Sequence, residues 1–142
     1  MTTIFKLCES EEDFNLFYDL RFRVLRQPLG VTDPLERVPG DGTTFRHYLL
    51  LDANDQSLIA ACSLTPVEDP DTIQIRFVAV DFPYQGKGYG QILMKNCEDQ
   101  IVKEGKKKII LHAREPAVRF YLRLGYQLEY KSYLFLGQVQ HY

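Results

Sequence analysis

The chain has 142 residues, 45% of them hydrophobic and 25% charged, with 17 basic and 19 acidic side chains for a formal net charge of −2. That size and apolar content predict one folded domain over 1–142 and exclude both a second independent core and intrinsic disorder. The near-balanced charge excludes a general attraction for nucleic acid, and the one basic run, Lys106-Lys107-Lys108, reads as a solvated turn before a strand or as a minor aid near an anionic ligand.

Residues 3–8 predict a strand. Ser10 reads as an N-cap, with Glu11, Glu12 and Asp13 in a first turn where carboxylates favour the helix dipole. The helix is expected to run to about Arg26, with Phe14, Phe17, Tyr18, Val24 and Leu25 on one face. Arg21 falls on the same stripe and there needs a partner or a route to water. Gln27-Pro28 ends the helix. Residues 27–43 hold Pro28, Gly30, Pro34, Pro39, Gly40 and Gly42 and predict a loop, long enough to suggest a functional segment. Runs 45–52 and 57–65 predict strands around the turn Asp52-Ala53-Asn54-Asp55. Residues 72–80 alternate, which is expected to place Ile73, Ile75, Phe77 and Ala79 on one face and Gln74, Arg76, Val78 and Val80 on the other. A second helix is expected over about 88–104. Tyr89, Leu93, Cys97 and Ile101, with Ile92 alongside, form its apolar face, and Gly105 is its stop. A strand over 108–113 follows. A third helix opens at Pro116, carries Ala117, Phe120, Tyr121 and Leu124 on one face and stops at Gly125. Strands near 126–131 and 132–137 complete the chain. This order predicts an α/β fold with a mixed, mostly antiparallel central sheet flanked by helices, not a doubly wound parallel sheet.

Cys8, Cys62 and Cys97 are odd in number and widely spaced, which argues against a disulfide framework and for a reducing cytoplasm. No apolar segment is long enough for a signal peptide or a membrane span, so no membrane association is expected. His47, His112 and His141 lack metal-ligand spacing, so no metal is expected and all three read as structural histidines.

Val78-Ala79-Val80-Asp81-Phe82-Pro83-Tyr84-Gln85-Gly86-Lys87-Gly88-Tyr89-Gly90 carries more information. A strand ends and a helix begins among glycines. Unpaired amides at a helix start, together with the helix dipole, suit an anion. A tight strand-to-helix turn is the plain alternative. A nucleotide P-loop would need Ser or Thr after Lys87, where Gly88 stands. A dinucleotide fingerprint would need G-x-G-x-x-G after the first strand, whereas Gly86, Gly88 and Gly90 are spaced G-x-G-x-G past mid-chain. Gln85-Gly86-Lys87-Gly88-Tyr89-Gly90 resembles the Q/R-x-x-G-x-G/A loop of the GNAT acetyltransferases. Ala113-Arg114-Glu115-Pro116-Ala117-Val118-Arg119-Phe120-Tyr121-Leu122-Arg123-Leu124-Gly125-Tyr126 resembles that family's later motif at the expected distance. The resemblance covers roughly 4–136 and is specific in 77–126.

The resemblance implies a GNAT-like acyl-CoA acyltransferase fold and acetyl transfer from acetyl-CoA to a primary amine of a small molecule or peptide. A non-catalytic acyl-CoA sensor or interaction module is the alternative, and homodimerisation stays open. Backbone of Val78, Ala79 and Val80 is implied to hold the pantetheine arm, and Gln85, Gly86, Lys87, Gly88, Tyr89 and Gly90 the pyrophosphate. Tyr121 is implied to donate a proton to the leaving thiolate, with helix packing as its plain alternative. Arg21, Arg23 and Arg26 are candidates for reading an acceptor anion, or simply solvate a helix end. Glu36, Glu68, Asp69, Asp81 and His112 each stand as a candidate base. Glu68 and Asp69 read first as turn residues and His112 as a packed one. Cys62 and Cys97 read as buried, inert thiols.

Overall fold

A computed structural model describes residues 2–113, 115–130 and 133–136. The elements are β1 (Thr3–Leu7), α1 (Glu11–Arg21), β2 (Arg46–Asp52), β3 (Leu58–Pro66), β4 (Thr72–Val80), α2 (Tyr89–Lys103), β5 (Lys108–Leu111), α3 (Glu115–Arg123), β6 (Gln127–Tyr130) and β7 (Tyr133–Leu136). The strands form one sheet in the order β1-β2-β3-β4-β5-β7-β6. Every neighbouring pair is antiparallel except β4 and β5, which run parallel. Arg114 and His141 lie outside the described residues.

Ser10 starts α1 as its chemistry predicts: its hydroxyl accepts from the Asp13 amide at 3.1 Å, and the Asp13 carboxylate accepts in return from the Ser10 amide. Regular α geometry stops at Arg21, short of the expected Arg26. The chain then widens into a π-helical turn over Phe22–Arg26 and tightens into a 3₁₀ turn over Gln27–Leu29. Pro28 carries no amide hydrogen for a regular continuation. Within the wide turn Val24 and Leu25 still pack on the sheet.

The sheet separates two apolar layers. On one side Phe17 and Leu20 of α1 pack on Leu49, Leu51, Ala61 and Ala79. On the other, Leu93, Met94, Cys97 and Ile101 of α2 pack with Leu50, Cys62, Leu64, Ile73, Ile75, Ile109 and Leu111. The buried stripe of α2 is turned from the expected one: Met94 and Glu98 lie inside, while Ile92 is 37% exposed. Glu98 is tolerated there because the Tyr126 hydroxyl donates to its carboxylate at 2.9 Å.

β4 breaks strict alternation. Ala61 pairs with Ala79 but Ser63 pairs with Arg76, so Phe77 and Val78 together oppose Cys62. Phe77 takes φ +55°, rare for a bulky side chain. The extra residue inverts the faces beyond it. Ile73 and Ile75 point to the α2 side, but Phe77 and Ala79 join the α1 layer, while Val78 and Val80 join the α2 layer. The expected grouping of Phe77 and Ala79 with Ile73 and Ile75 is thereby corrected.

Candidate active site

β4 and β5 pair only over Thr72–Gln74 and Lys108–Ile110. Beyond that the bulged strand leaves its parallel neighbour, and hollows open on both sides of the split. The larger, about 920 Å³, lies against the start of α2 and the inner face of α3. The smaller, about 280 Å³, lies between the π-helical turn, β4 and the end of β5. Val78, Ala117 and Tyr121 line both, so the two hollows meet at these residues.

The larger hollow is built around the glycine loop. Asp81 follows β4 and its carboxylate accepts from the Phe82 amide, starting a short 3₁₀ turn over Phe82–Tyr84. The Gln85 amide group donates to the Val80 carbonyl at 2.8 Å and ties the loop back to its strand. Gly88 is the N-cap of α2 at φ +88°, with no side-chain cap. Amides at a helix start have no partner inside the helix, and with the positive end of the dipole they make this turn suit an anion. Gly90 lets Phe120 approach: a Cβ there would lie 3.3 Å from the Phe120 ring.

Val78, Val80, Gln85, Gly86, Gly88, Tyr89 and Gly90 all line this hollow. Two members of the expected set do not. Lys87 is exposed and outside the lining, and the Ala79 side chain is buried in the α1 layer because of the bulge. Tyr84, Ala117 and Phe120 line the hollow but were not singled out for it, since their helical or turn positions read equally well as packing.

Tyr121 is only 7% exposed and packs edge-on against Phe120 and Tyr126. Burial, and then the neighbouring thiols of Cys97 and Cys62, push its pKa well above that of a free phenol. It stays protonated at neutral pH, as a hydrogen donor must. Cys62 and Cys97 touch at 3.0 Å between sulfurs and are fully buried; burial also raises the Cys97 thiol. These are core thiols.

The arginine expectations divide. Arg21 is 3% exposed and makes a two-pronged pair with Asp41 at 3.0 and 2.7 Å. Asp41 also faces His47, whose other ring nitrogen meets Ser63 at 2.6 Å, and the imidazole stacks on Phe17 at 3.9 Å. This buried network anchors the long loop and leaves Arg21 nothing for an acceptor. Arg23 is spent on Asp81 and Asp19. Of these three arginines Arg26 lines the smaller hollow, with Glu36 at 2.6 Å.

The candidate bases sort similarly. The hydrogen bond from Arg23 holds Asp81 below the usual carboxylate range, and that from Arg26 does the same for Glu36. Asp69 caps its turn through the Asp71 amide and the Thr72 hydroxyl. Glu68 lies outside both linings. His112, expected to be packed, is exposed and lines the smaller hollow. Arg76 lines it too and was missed, because in an alternating strand it reads as a solvated position. Among the described residues no cluster of His, Cys, Asp and Glu is arranged to hold a metal, and no helix is long and apolar enough to cross a membrane.

The fold has known counterparts. A model of the acetyltransferase (GNAT) family matches residues 10–126. The chain belongs to the GNAT acetyltransferase family. GNAT structures superpose over nearly its whole length. A Lactobacillus plantarum protein assigned as an N-acetyltransferase is 20% identical, with 97% of this chain and 99% of that one covered and a TM-score of 0.84. The Vibrio cholerae spermidine N-acetyltransferase, solved with CoA and spermine, is 17% identical, covers 96% and 95%, and has a TM-score of 0.76. The ribosomal-protein-S18-alanine N-acetyltransferase of Escherichia coli is 18% identical, covers 96% and 94%, and has a TM-score of 0.73. At these identities the likeness concerns the fold, and this chain has the GNAT fold.

Proposed function

We propose that this GNAT domain transfers the acetyl group of acetyl-CoA directly to a primary amine of a small molecule or peptide. The observation that carries the reading is the meeting of two hollows at Val78, Ala117 and Tyr121: one runs to an anion-ready helix start, the other opens independently on the far side of the split sheet. A module that only sensed acyl-CoA would need the first hollow and not the second. A neighbour of the same fold was solved with CoA and spermine, which supports a site for both an acyl-CoA and an amine. Buried, unpaired cysteines suit a cytoplasmic setting.

The larger hollow fits the group chemically, with apolar walls for a pantetheine arm and α2 amides for its phosphates. When bound, acetyl-CoA supplies an activated thioester. The Gly88 turn and the first amides of α2 hold negative charge by backbone alone. The Val78 backbone, unpaired from β5 by the splay, orients the arm. Tyr121 donates its proton toward the sulfur position, where a positioned donor is worth about 10²–10⁴-fold in rate.

The test begins with thermal shifts. Saturating acetyl-CoA should raise the melting temperature, because it binds the native state alone, and ATP and NAD should not. Gly88→Val should remove that shift while the protein stays folded: open space surrounds the position, and the backbone strain at positive φ costs about 1–3 kcal/mol. Release of free CoA thiol with an amine panel then reports transfer. A shift with ATP and none with acetyl-CoA would overturn the assignment.

A further inference from the structure

Two guanidinium groups, of Arg26 and Arg76, line the smaller, acceptor-side hollow, and no carboxylate stands among its described lining residues. Arg26 is already matched by Glu36. Arg76 is not matched: no carboxylate among the described residues lies within ion-pair distance of it. Its guanidinium is held over the rings of Phe77 at 4.7 Å and Phe45 at 5.1 Å. The bulge creates this arrangement, since it turns Arg76 and Phe77, adjacent in sequence, to the same side of the sheet. Burial and the nearby Arg21 charge push the Arg76 pKa down, with only Asp41 opposing. The surroundings therefore favour an added anion. A third hollow, of about 470 Å³, lies beside the acceptor-side one, lined by Arg76, Phe77 and His112 among others.

Resting on the acetyl-transfer reading above, we propose that the acceptor is a small amine bearing a carboxylate, of the amino-acid class, and that Arg76 binds that carboxylate. An amine reaches the site as an ammonium ion. A diamine or polyamine would bring further positive charge against an unmatched guanidinium, whereas a zwitterion brings the charge the cavity lacks. The planar guanidinium presents paired donors that suit the two oxygens of a carboxylate. Arg76 is thus a specificity residue: it fixes which amine is held while the reacting nitrogen reaches toward Tyr121.

The test uses the common α-amino acids, β-alanine and 4-aminobutyrate, the carboxamide of each, and a series of linear diamines. Binding to the CoA-loaded protein is read by calorimetry, and turnover with acetyl-CoA by thiol release. At least one carboxylated amine should bind and be acetylated, with its carboxamide weaker by about 10–100-fold, the worth of a charge-assisted hydrogen bond. Arg76→Gln should erase that ratio by raising KM for the carboxylated amine while the acetyl-CoA thermal shift is kept, and Arg76→Lys should restore part of it. Carboxylate- and Arg76-dependent binding without thiol release would uphold this site and refute acetyl transfer. Equal or better use of diamines or carboxamides, a ratio untouched in Arg76→Gln, or no binding by any carboxylated amine would overturn the proposal.

Discussion

Asp41→Asn should be the most damaging conservative substitution in the long loop. The Asp41 side chain is 4% exposed and Arg21 is 3% exposed. Both carboxylate oxygens are engaged by the guanidinium, and the same group accepts from the Val38 amide at 2.8 Å and faces His47 at 3.1 Å. An amide keeps the shape but replaces one acceptor with a donor and removes the charge. Arg21 then stays buried among Phe17, Tyr18 and Phe77, whose rings lie 4.7–5.4 Å away and compensate only in part. Breaking a buried pair in this way costs about 3–5 kcal/mol. For a domain of this size that lowers Tm by roughly 10–20 °C. Urea and thermal unfolding at pH 7, followed by far-UV circular dichroism, measure it. Pairing the change with Arg21→Met should recover much of the loss, because no lone charge then remains inside. The loop also carries Glu36, the partner of Arg26 beside the acceptor-side hollow, so the KM for the acceptor should rise more than acetyl-CoA affinity falls. A loss below about 1 kcal/mol, or a double variant whose losses simply add, would show that this network does not anchor the loop.

Tyr121→Phe should leave Tm and the acetyl-CoA shift nearly unchanged and slow transfer by about 10²-fold or more, with kcat and kcat/KM falling together; a wild-type rate with chemistry limiting would make the residue structural. Replacing Cys8, Cys62 and Cys97 together by Ala should preserve turnover per folded molecule, and an acetylated cysteine trapped by mass spectrometry in the wild type would refute direct transfer. Burial is the main cause that lowers the His47 pKa to about 4 from an ordinary 6.5. The unfolded chain therefore takes up this proton first as pH falls, and stability drops between about pH 6.5 and 4, by up to roughly 3 kcal/mol. Urea midpoints across that range should show the slope, and His47→Gln should flatten it.

Most elements are legible in the sequence because their signals are local. Ser10 with Asp13, the glycines before α2, and Pro116 with Gly125 around α3 mark their boundaries through backbone chemistry that needs no distant partner. Residues 78–90 and 113–126 disclose the larger hollow for the same reason. What depends on distant contacts is less legible. Arg21 on an apolar stripe demands a partner, but nothing in a Pro- and Gly-rich loop identifies Asp41, 20 residues away, as that partner. Arg23 looks available until Asp81 is brought 2.9 Å from it. Arg76 looks solvated until the bulge and the rings of Phe45 and Phe77 enclose it.

One extra residue in β4 accounts for most of the site. Without it, β4 would keep its alternation: Val78 would stay with Arg76 and Gln74 on the α1 side, and Phe77 would point into the α2 layer. That β4 would also have no local reason to leave β5. With it, Val78 and Val80 turn to the α2 layer, where the uncapped helix start and Tyr121 lie, and Arg76 and Phe77 turn together to the other face. The two substrates in the proposed reaction approach from opposite sides of the sheet, and the bulge is what gives each side its own lining. The positive φ of Phe77 costs about 1–3 kcal/mol, which the packing around it has to offset. Its ring does so by filling the α1 layer and lying under Arg76. The strained residue thus supports the acceptor-side cation, and the backbone kink beside it exposes the donor-side strand.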